Sequence, residues 1–184
     1  MDAVTGPVIT EEYRKLQQKL HEDNPDYGMA SVAMAPLVVE MIGRLDATHL
    51  LDYGAGKGRL GQELLKLMKT PPIVTPYEPS RPEWATPPAP HDFVTCIDVL
   101  EHIEPELLDN VLDDLARVTR RFGLFTVHTG QARRVLPDGR NAHLIQEGPA
   151  WWLPRLLARF ELIQFTRIPQ GFWVLVERQG EQAS

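Results

Sequence analysis

The sequence predicts an α/β protein in which helices cover both faces of a mostly parallel sheet. Short apolar runs alternate with amphipathic segments from residue 49 onward, which is the pattern of strands joined by crossover helices. A glycine-rich turn separates the first run from the first amphipathic segment. The last two runs, 161–168 and 172–177, are joined by a Pro-Gln-Gly turn, which indicates an antiparallel hairpin at the C-terminus.

The length and charge of the chain limit the classes of function. With 184 residues it is expected to form one domain, 1–184, divided into an N-terminal helical cap at 1–46, a core at 47–179 and a tail at 180–184. The formal charge of −6 argues against nucleic-acid binding through bulk charge. A single cysteine, Cys96, excludes an internal disulfide, and no apolar run is long enough to cross a bilayer. We therefore expect a cytoplasmic protein with no membrane association.

The elements follow in order from capping signals and apolar spacing. Thr10 can cap a helix that ends near Glu22, because Glu11 and Glu12 suit the positive end of its dipole. A second helix covers 29–45 and is expected to kink or restart at Pro36. Further strands are predicted at 49–53, 73–77, 93–97 and 123–127, and further helices at 59–69, 104–121 and 149–160.

The turn after the first strand contains glycine at alternate positions, Gly54, Gly56 and Gly58. Glycine lets the backbone bend sharply and lets a ligand approach closely. Two interpretations compete: residues 56–61 fit the dinucleotide spacing G-x-G-x-x-G of a nicotinamide dehydrogenase, whereas Asp52 at the strand end begins an acid-x-G-x-G-x-G pattern. A carboxylate here would repel a pyrophosphate and attract a cation. The acidic pattern therefore favours a cationic ligand.

Three motifs in this order resemble the class I S-adenosylmethionine-dependent methyltransferases, which are Rossmann-like three-layer sandwiches. The motifs are residues 50–58, Glu78 at the end of the second strand, and residues 92–103. The resemblance implies that S-adenosyl-L-methionine is the cofactor and that Glu78 bonds its ribose, while the other positions surround its methionine part. The implied cofactor-binding residues are Asp52, Gly54, Ala55, Gly56, Gly58, Glu78, Ile97 and Asp98.

The chain departs from that family between Glu78 and Phe93. Only fourteen residues lie between them, and five of these are proline. Proline disfavours a helix and a central strand, so we expect one edge strand and its helix to be missing. The acidic residue that commonly reads the adenine amino group has no evident counterpart here. Trp84 either covers the adenine ring or packs in the interior, and packing is the more common role of a tryptophan.

Acids and histidines follow the third and fourth strands. Asp98, Glu101 and His102 begin a helical turn after the third strand, and His143 lies in the loop after the fourth. We predict Glu101, His102 and His143 as catalytic residues, because histidine titrates near neutral pH and can take up the acceptor's proton. With Asp98, the same side chains could instead hold a divalent metal. Lining of the acceptor pocket without a metal is the favoured interpretation.

The acceptor is left open between a small molecule and a nucleic-acid end. A set of cations at the ends of neighbouring strands would suit an anionic acceptor: Lys57, Arg59, Arg133, Arg134 and Arg140. Solvated loop charge is the competing explanation. Trp151 and Trp152 could stack a ring or belong to the core. The N-terminal helices, with Tyr27 and Gly28, could cover the pocket.

The predicted function is methyl transfer to an oxygen or nitrogen nucleophile. The alternatives are transfer of another group from the same cofactor, and a cofactor-binding subunit without catalysis. An oligomer or a partner subunit is compatible with either alternative.

Overall fold

The protein is described by a computed structural model that covers residues 6–24 and 28–180. The predicted tail falls largely at 181–184, outside the described residues, as does Tyr27. The helices are α1 (Glu11–Asp23), α2 (Ala30–Leu45), α3 (Arg59–Leu67), α4 (Leu108–Val118) and α5 (Pro149–Leu157). The strands are β1 (His49–Tyr53), β2 (Ile73–Tyr77), β3 (His91–Ile97), β4 (Thr119–His128), β5 (Phe160–Ile168) and β6 (Gly171–Arg178).

The strands form one six-stranded sheet in the order β2-β1-β3-β4-β6-β5. The first four strands of that order are parallel, and β6 pairs antiparallel with both β4 and β5. Strand β2 forms one edge, because the chain between β2 and β3 contains a 3₁₀ turn at Pro82–Trp84 rather than a strand. The predicted α/β class, the C-terminal hairpin and the missing edge strand are confirmed.

Helices lie on both faces of the sheet, because alternate residues of each strand point to opposite sides. Leu51 packs in the apolar cluster that contains the buried side chains of α4 and α5. Its neighbour Leu50 packs with α2 and α3 on the other face. Both leucines are fully buried. The alternation in one strand thus explains the three-layer arrangement.

Two helices differ from the sequence prediction. Pro36 does not restart α2, which is assigned as one helix from Ala30 to Leu45. The predicted helix at 104–121 is wrong at its C-terminal end, where α4 stops at Val118 and β4 begins. The Thr119 hydroxyl donates a hydrogen bond to the Leu115 carbonyl oxygen at 2.7 Å, and Thr119 pairs with His91 of β3. A β-branched residue favours the extended backbone that this pairing needs.

The N-terminal helix α1 is fixed over the carboxyl ends of the strands. Thr10 caps it as predicted, since its side chain accepts a hydrogen bond from the Tyr13 amide at 3.1 Å. Glu104 accepts two further hydrogen bonds, from the Thr10 amide at 2.9 Å and the Thr10 hydroxyl at 2.6 Å. The Tyr13 hydroxyl donates to the His102 carbonyl oxygen at 2.6 Å. These bonds place α1 above the region where every predicted site motif lies.

Candidate active site

The turn between β1 and α3 has the backbone geometry that the glycine spacing predicts. Gly54, Gly56 and Gly58 have φ values of 77°, 53° and 67°, which lie in the left-handed region. The amides of Gly54 and Ala55 both donate to the Tyr77 carbonyl oxygen, at 2.8 and 2.9 Å. The turn is therefore attached to the end of β2, the strand that leads into Glu78.

Side chains at the outer two glycines would collide with their surroundings. A Cβ on Gly54 would meet the side chain of Val99, and one on Gly58 would lie 2.9 Å from the ring of Trp84. The guanidinium of Arg81 also lies over the ring of Trp84, 4.6 Å from its centre. The structure thus gives Trp84 a packing role, and it is not among the residues that line the pocket described below.

Asp52 lies at the end of β1 and is almost completely buried, with 4% of its surface exposed. Burial raises the pKa of its carboxyl group to about 7, and the charge of Glu78 adds to this rise. A hydrogen bond from the Thr95 hydroxyl at 3.2 Å opposes it. A buried carboxylate with so little compensation is well placed to neutralise a positively charged ligand.

Glu78 is held at the end of β2 by three donors. One carboxylate oxygen accepts from the amide and hydroxyl of Ser80, at 3.0 and 2.7 Å. The other accepts from the amide of Gly56 at 3.1 Å. A carboxylate has about four acceptor positions, so its remaining lone pairs can accept further hydrogen bonds. The structure thus links Glu78 directly to the glycine turn.

A pocket of about 1030 Å³, including its open mouth, lies over these strand ends. Seven of the eight predicted cofactor residues line it: Asp52, Gly54, Ala55, Gly56, Glu78, Ile97 and Asp98. Gly58 does not, because it supports the turn against Trp84. Of the predicted catalytic residues, His102 lines the pocket, whereas Glu101 and His143 lie outside its lining.

The N-terminal helix α1 contributes to this pocket, as the sequence predicts for the N-terminal helices, but the residues that line it were not predicted. Tyr13, Gln17 and His21 line one wall, and they follow one another at intervals of four residues. This spacing puts them on one face of a helix. The polar Gln17, which donates to the Tyr13 hydroxyl at 2.6 Å, stands on the buried face. A polar residue on the buried face of a helix was the signal that could have pointed to this wall of the pocket.

Asp98 follows β3 in a backbone conformation that is rare for a residue with a side chain. Its φ is 57°, in the left-handed region. Such a conformation costs about 1–2 kcal/mol. The Asp98 amide donates to the Thr126 hydroxyl at 2.9 Å, which connects the end of β3 with β4. The turn directs the chain so that Asp98 lines the pocket.

Glu101 is a fully buried carboxyl group directly behind Asp98. One oxygen accepts a hydrogen bond from the His128 amide at 2.7 Å. The other, Oε2, has no hydrogen-bond partner among the described residues. Burial and the nearby Asp98 charge raise the pKa of Glu101 well above its ordinary value.

His102 and His143 are oriented by backbone carbonyl groups. The Nδ1 atom of His102 donates to the Ala142 oxygen, and that of His143 donates to the Gly130 oxygen, both at 2.7 Å. The two ring centres are 4.7 Å apart. Burial lowers the pKa of His102 to about 4 and also lowers the pKa of His143. Both rings are therefore neutral near pH 7, and Nε2 carries the lone pair in each.

The structure brings these four side chains together. Asp98, Glu101, His102 and His143 each offer one potential ligand atom, and these atoms all lie within 4.8 Å of one another. The cluster adjoins the pocket through Asp98 and His102.

Four of the five cations predicted to form one rim do not line the pocket. The fifth, Lys57, lines the pocket, and its amino group donates to the Asn24 carbonyl oxygen at 2.7 Å. Arg140 pairs with Asp138 at 2.7 Å. In the predicted tryptophan pair, Trp152 is completely buried, and neither ring lines the pocket.

Comparison with known proteins identifies the family. A family model described as a methyltransferase domain matches residues 12–172, which is most of the chain. The chain belongs to this methyltransferase domain family. A comparison with curated proteins finds no match.

Solved structures share the fold of this methyltransferase-domain protein. The 1,6-didemethyltoxoflavin-N1-methyltransferase of Burkholderia thailandensis, solved with 1,6-didemethyltoxoflavin and S-adenosylhomocysteine, is 18% identical, with a TM-score of 0.68 over 98% of this chain and 94% of that one. A DhpI–S-adenosylhomocysteine complex is 17% identical, with a TM-score of 0.61 over 95% and 100% of the two chains. Magnesium protoporphyrin IX methyltransferase of Synechocystis is 16% identical, with a TM-score of 0.52 over 96% and 91%.

The methyltransferase domain has the class I S-adenosylmethionine-dependent methyltransferase fold, as the motifs predict. The dinucleotide interpretation of residues 56–61 is therefore set aside. In the structure, Gly61 lies within α3, where it packs near Val74 of β2. Among the described residues, no helix has the length and apolar character that a membrane crossing requires.

Proposed function

We propose that this protein binds S-adenosylmethionine in the pocket and transfers its methyl group to an oxygen or nitrogen nucleophile. One observation carries the proposal: the glycine turn, the buried Asp52 and the anchored Glu78 line a single pocket at the strand ends. The family match and the S-adenosylhomocysteine-bound neighbours support it.

The residues of the pocket fit the two ends of this cofactor. Asp52 offers a negative charge to the cationic methionine part, and the Gly54–Gly56 backbone leaves room for close approach. Glu78 offers acceptor positions to the two ribose hydroxyls, and its hydrogen bonds to Ser80 and Gly56 fix its orientation beforehand. Such preorganisation reduces the entropy lost on binding.

The sulfonium supplies the activated methyl group, so the chain mainly has to align the acceptor and remove one proton. The acceptor's lone pair forms a bond to the methyl carbon, the carbon–sulfur bond breaks toward sulfur, and the acceptor's proton leaves. We propose that His102, at the polar end of the pocket, accepts that proton, with Glu101 and His143 behind it. Asp98 and Ile97 flank the reacting methyl group in this arrangement.

A small molecule is the acceptor that the pocket favours. Its lining combines apolar side chains such as Val8, Ile9 and Val111 with a few polar groups, as in sites for small ligands. A nucleic-acid end has less support, because Lys57 alone of the five predicted cations lines the pocket. One fold neighbour, as its name states, is an N1-methyltransferase and was solved with 1,6-didemethyltoxoflavin.

The test is a screen with S-adenosylmethionine that carries distinct labels on the methyl and aminocarboxypropyl groups. Acceptors are pools of small hydroxylated and heterocyclic compounds, RNA and DNA. The proposal expects methyl label, and only methyl label, in a small-molecule product. Label from the aminocarboxypropyl group would show the alternative transfer reaction. Binding of the cofactor with no product from any pool, alone or with candidate partner chains, would favour a non-catalytic subunit.

A further inference from the structure

We infer that Asp98, Glu101, His102 and His143 form a binding site for one divalent transition-metal ion beside the pocket. The potential ligand atoms of these four residues, two carboxylates and two imidazoles, lie within 4.8 Å of one another. They come from separate parts of the chain, the turn after β3 and the loop after β4. Asp98, Glu101 and His102 lie within a stretch of five residues, so what the fold adds is the approach of His143 to these three.

The buried carboxyl group of Glu101 provides the strongest reason. Glu101 is completely buried, and its Oε2 makes no hydrogen bond to any described residue. The Asp98 carboxyl group of the cluster interacts with Glu101 directly, and it is also an acceptor when ionised. A buried acceptor without a donor is costly, and two facing carboxylates need a cation or a shared proton between them.

The histidines are arranged as metal ligands usually are. Each donates its Nδ1 hydrogen to a backbone carbonyl, His102 to Ala142 and His143 to Gly130, at 2.7 Å. This bond fixes the ring and leaves the lone pair on Nε2, which is the common outer arrangement around a metal-bound histidine. Asp98, in the strained turn with φ of 57°, offers a third ligand. Its backbone is held by the hydrogen bond from its amide to the Thr126 hydroxyl.

The donor set indicates which metal fits. Two imidazole nitrogens and two carboxylate oxygens suit Zn²⁺, Mn²⁺, Fe²⁺ or Co²⁺, whereas Mg²⁺ and Ca²⁺ prefer oxygen ligands alone. The ion would adjoin the pocket on the side lined by Asp98 and His102.

This position gives the ion a role that rests on the proposed methyl transfer. A hydroxyl oxygen of the acceptor bound to the ion loses its proton to solvent more readily, because the metal lowers its pKa. The resulting oxygen lone pair then attacks the methyl carbon while the carbon–sulfur bond breaks toward sulfur. With the ion bound, His102 acts as a ligand, and oxygen acceptors are favoured over nitrogen acceptors.

Cobalt titration of the full chain tests the site. Protein freed of metal with a chelator and dialysed is titrated with Co²⁺, and the visible absorption of the bound ion is followed. We expect one ion per chain and a rise in melting temperature on binding, since a ligand of the folded state stabilises it. Glu101→Gln should weaken Co²⁺ binding by about a hundredfold, because loss of even an outer-shell group costs about 10- to 100-fold. His49→Gln, at the opposite end of β1, is the matched histidine control and should bind as the wild type does.

The following outcomes distinguish a metal site from a proton shared by the two carboxyl groups. They also distinguish failure of the metal site from failure of the proposed function. Metal-free Glu101→Gln should melt no lower than the metal-free wild type, since the neutral amide needs neither a cation nor a shared proton between it and Asp98. Unchanged Co²⁺ affinity in that variant, or no Co²⁺ absorption in the wild type, would overturn the inference. S-adenosylhomocysteine binding, measured in chelator, tests the proposed function independently. Transfer to a hydroxyl acceptor should fall about tenfold or more in chelator and return with Co²⁺.

Discussion

At the scale of single residues, the site depends on carboxylates whose surroundings differ. Asp52 is buried with one hydrogen bond from a hydroxyl group, so its charged form is costly until a cation arrives. Glu78 is already held by the amide of Gly56 and by Ser80. The first residue therefore responds to the ligand's charge, whereas the second serves as a fixed acceptor.

Ionisation of Asp52 should make both stability and ligand affinity depend on pH. The folded protein holds this proton up to a pKa of about 7, well above the ordinary aspartate value, so ionisation costs stability as pH rises from about 4 to 7. The full effect is about 4 kcal/mol in the unfolding free energy. In Asp52→Asn this part of the decline in unfolding free energy should be absent. Urea denaturation at several pH values across that pH range measures it. An identical pH profile in wild type and variant would contradict the assigned pKa.

Binding of a cationic ligand should release the Asp52 proton. The affinity for S-adenosylmethionine is therefore expected to increase as pH rises through about 7, and calorimetry in buffers of different ionisation enthalpy should show proton release near pH 6. S-adenosylhomocysteine, which lacks the sulfonium charge, provides the comparison and should release fewer protons. Equal release by the two ligands would argue that Asp52 does not sense the sulfonium.

Removal of the Glu78 charge should weaken binding of the adenosyl group. In Glu78→Gln an amide donor must face the donors of Gly56 or Ser80, and the charge-assisted bonds to ribose are lost. These bonds are worth about 1.5–3 kcal/mol each, so affinity for S-adenosylhomocysteine should fall about 10- to 100-fold. Glu83→Gln, an exposed acid of the same loop, is the control in calorimetric titrations. Equal affinities in the two variants would exclude Glu78 from the site.

At the scale of elements, the attachment of α1 closes one side of the pocket. Glu104 accepts from both the amide and hydroxyl of Thr10, and only 7% of Glu104 is exposed. Thr10 in turn caps the helix that carries Tyr13 and Gln17 into the pocket. The cap of this helix and the position of the pocket wall are therefore coupled.

Glu104→Gln should loosen α1 more than it affects the sheet. One amide group cannot accept from both Thr10 donors, and the unmet partner costs about 1–3 kcal/mol. Hydrogen exchange of the α1 amides should accelerate, while that of β1 and β3 should change less. Glu106→Gln, an exposed neighbour, is the matched control. Uniform acceleration across α1 and the sheet would contradict a local role for Glu104.

The elements also show how much the sequence can predict. Apolar spacing predicted the layers, and the short proline-rich segment between Glu78 and Phe93 predicted the missing edge strand. The resemblance to class I methyltransferases implied most of the residues at the proposed cofactor end of the pocket. The boundary at Val118 was missed because the apolar spacing of α4 says nothing about the pairing of Thr119 with His91. The N-terminal helices were expected to cover the pocket, but Tyr13, Gln17 and His21 were not predicted as the residues of that wall, since local spacing does not show which element covers a helix face.

At the scale of the whole molecule, the shortened sheet leaves the adenosyl end of the pocket to fewer elements. Strand β2 is the edge, and the proline-rich segment after Glu78 forms a 3₁₀ turn that packs Trp84 on Gly58. The chain brings α1 and the glycine turn together instead, where Lys57 donates to the Asn24 carbonyl oxygen. We therefore expect recognition of the proposed cofactor to depend chiefly on the glycine turn, Asp52 and Glu78.

Calorimetric titration with S-adenosylhomocysteine tests this dependence most directly, in the wild type, Gly56→Leu and Gly43→Ala. Gly56 has a φ of 53° and its Cβ would lie 3.3 Å from His21, whereas Gly43 in α2 has open space around it. The wild type and Gly43→Ala are expected to bind one equivalent of the ligand with the same affinity. Gly56→Leu is expected to keep a cooperative unfolding transition but to show no heat of binding. Absence of binding in the wild type, or undiminished binding in Gly56→Leu, would contradict this dependence.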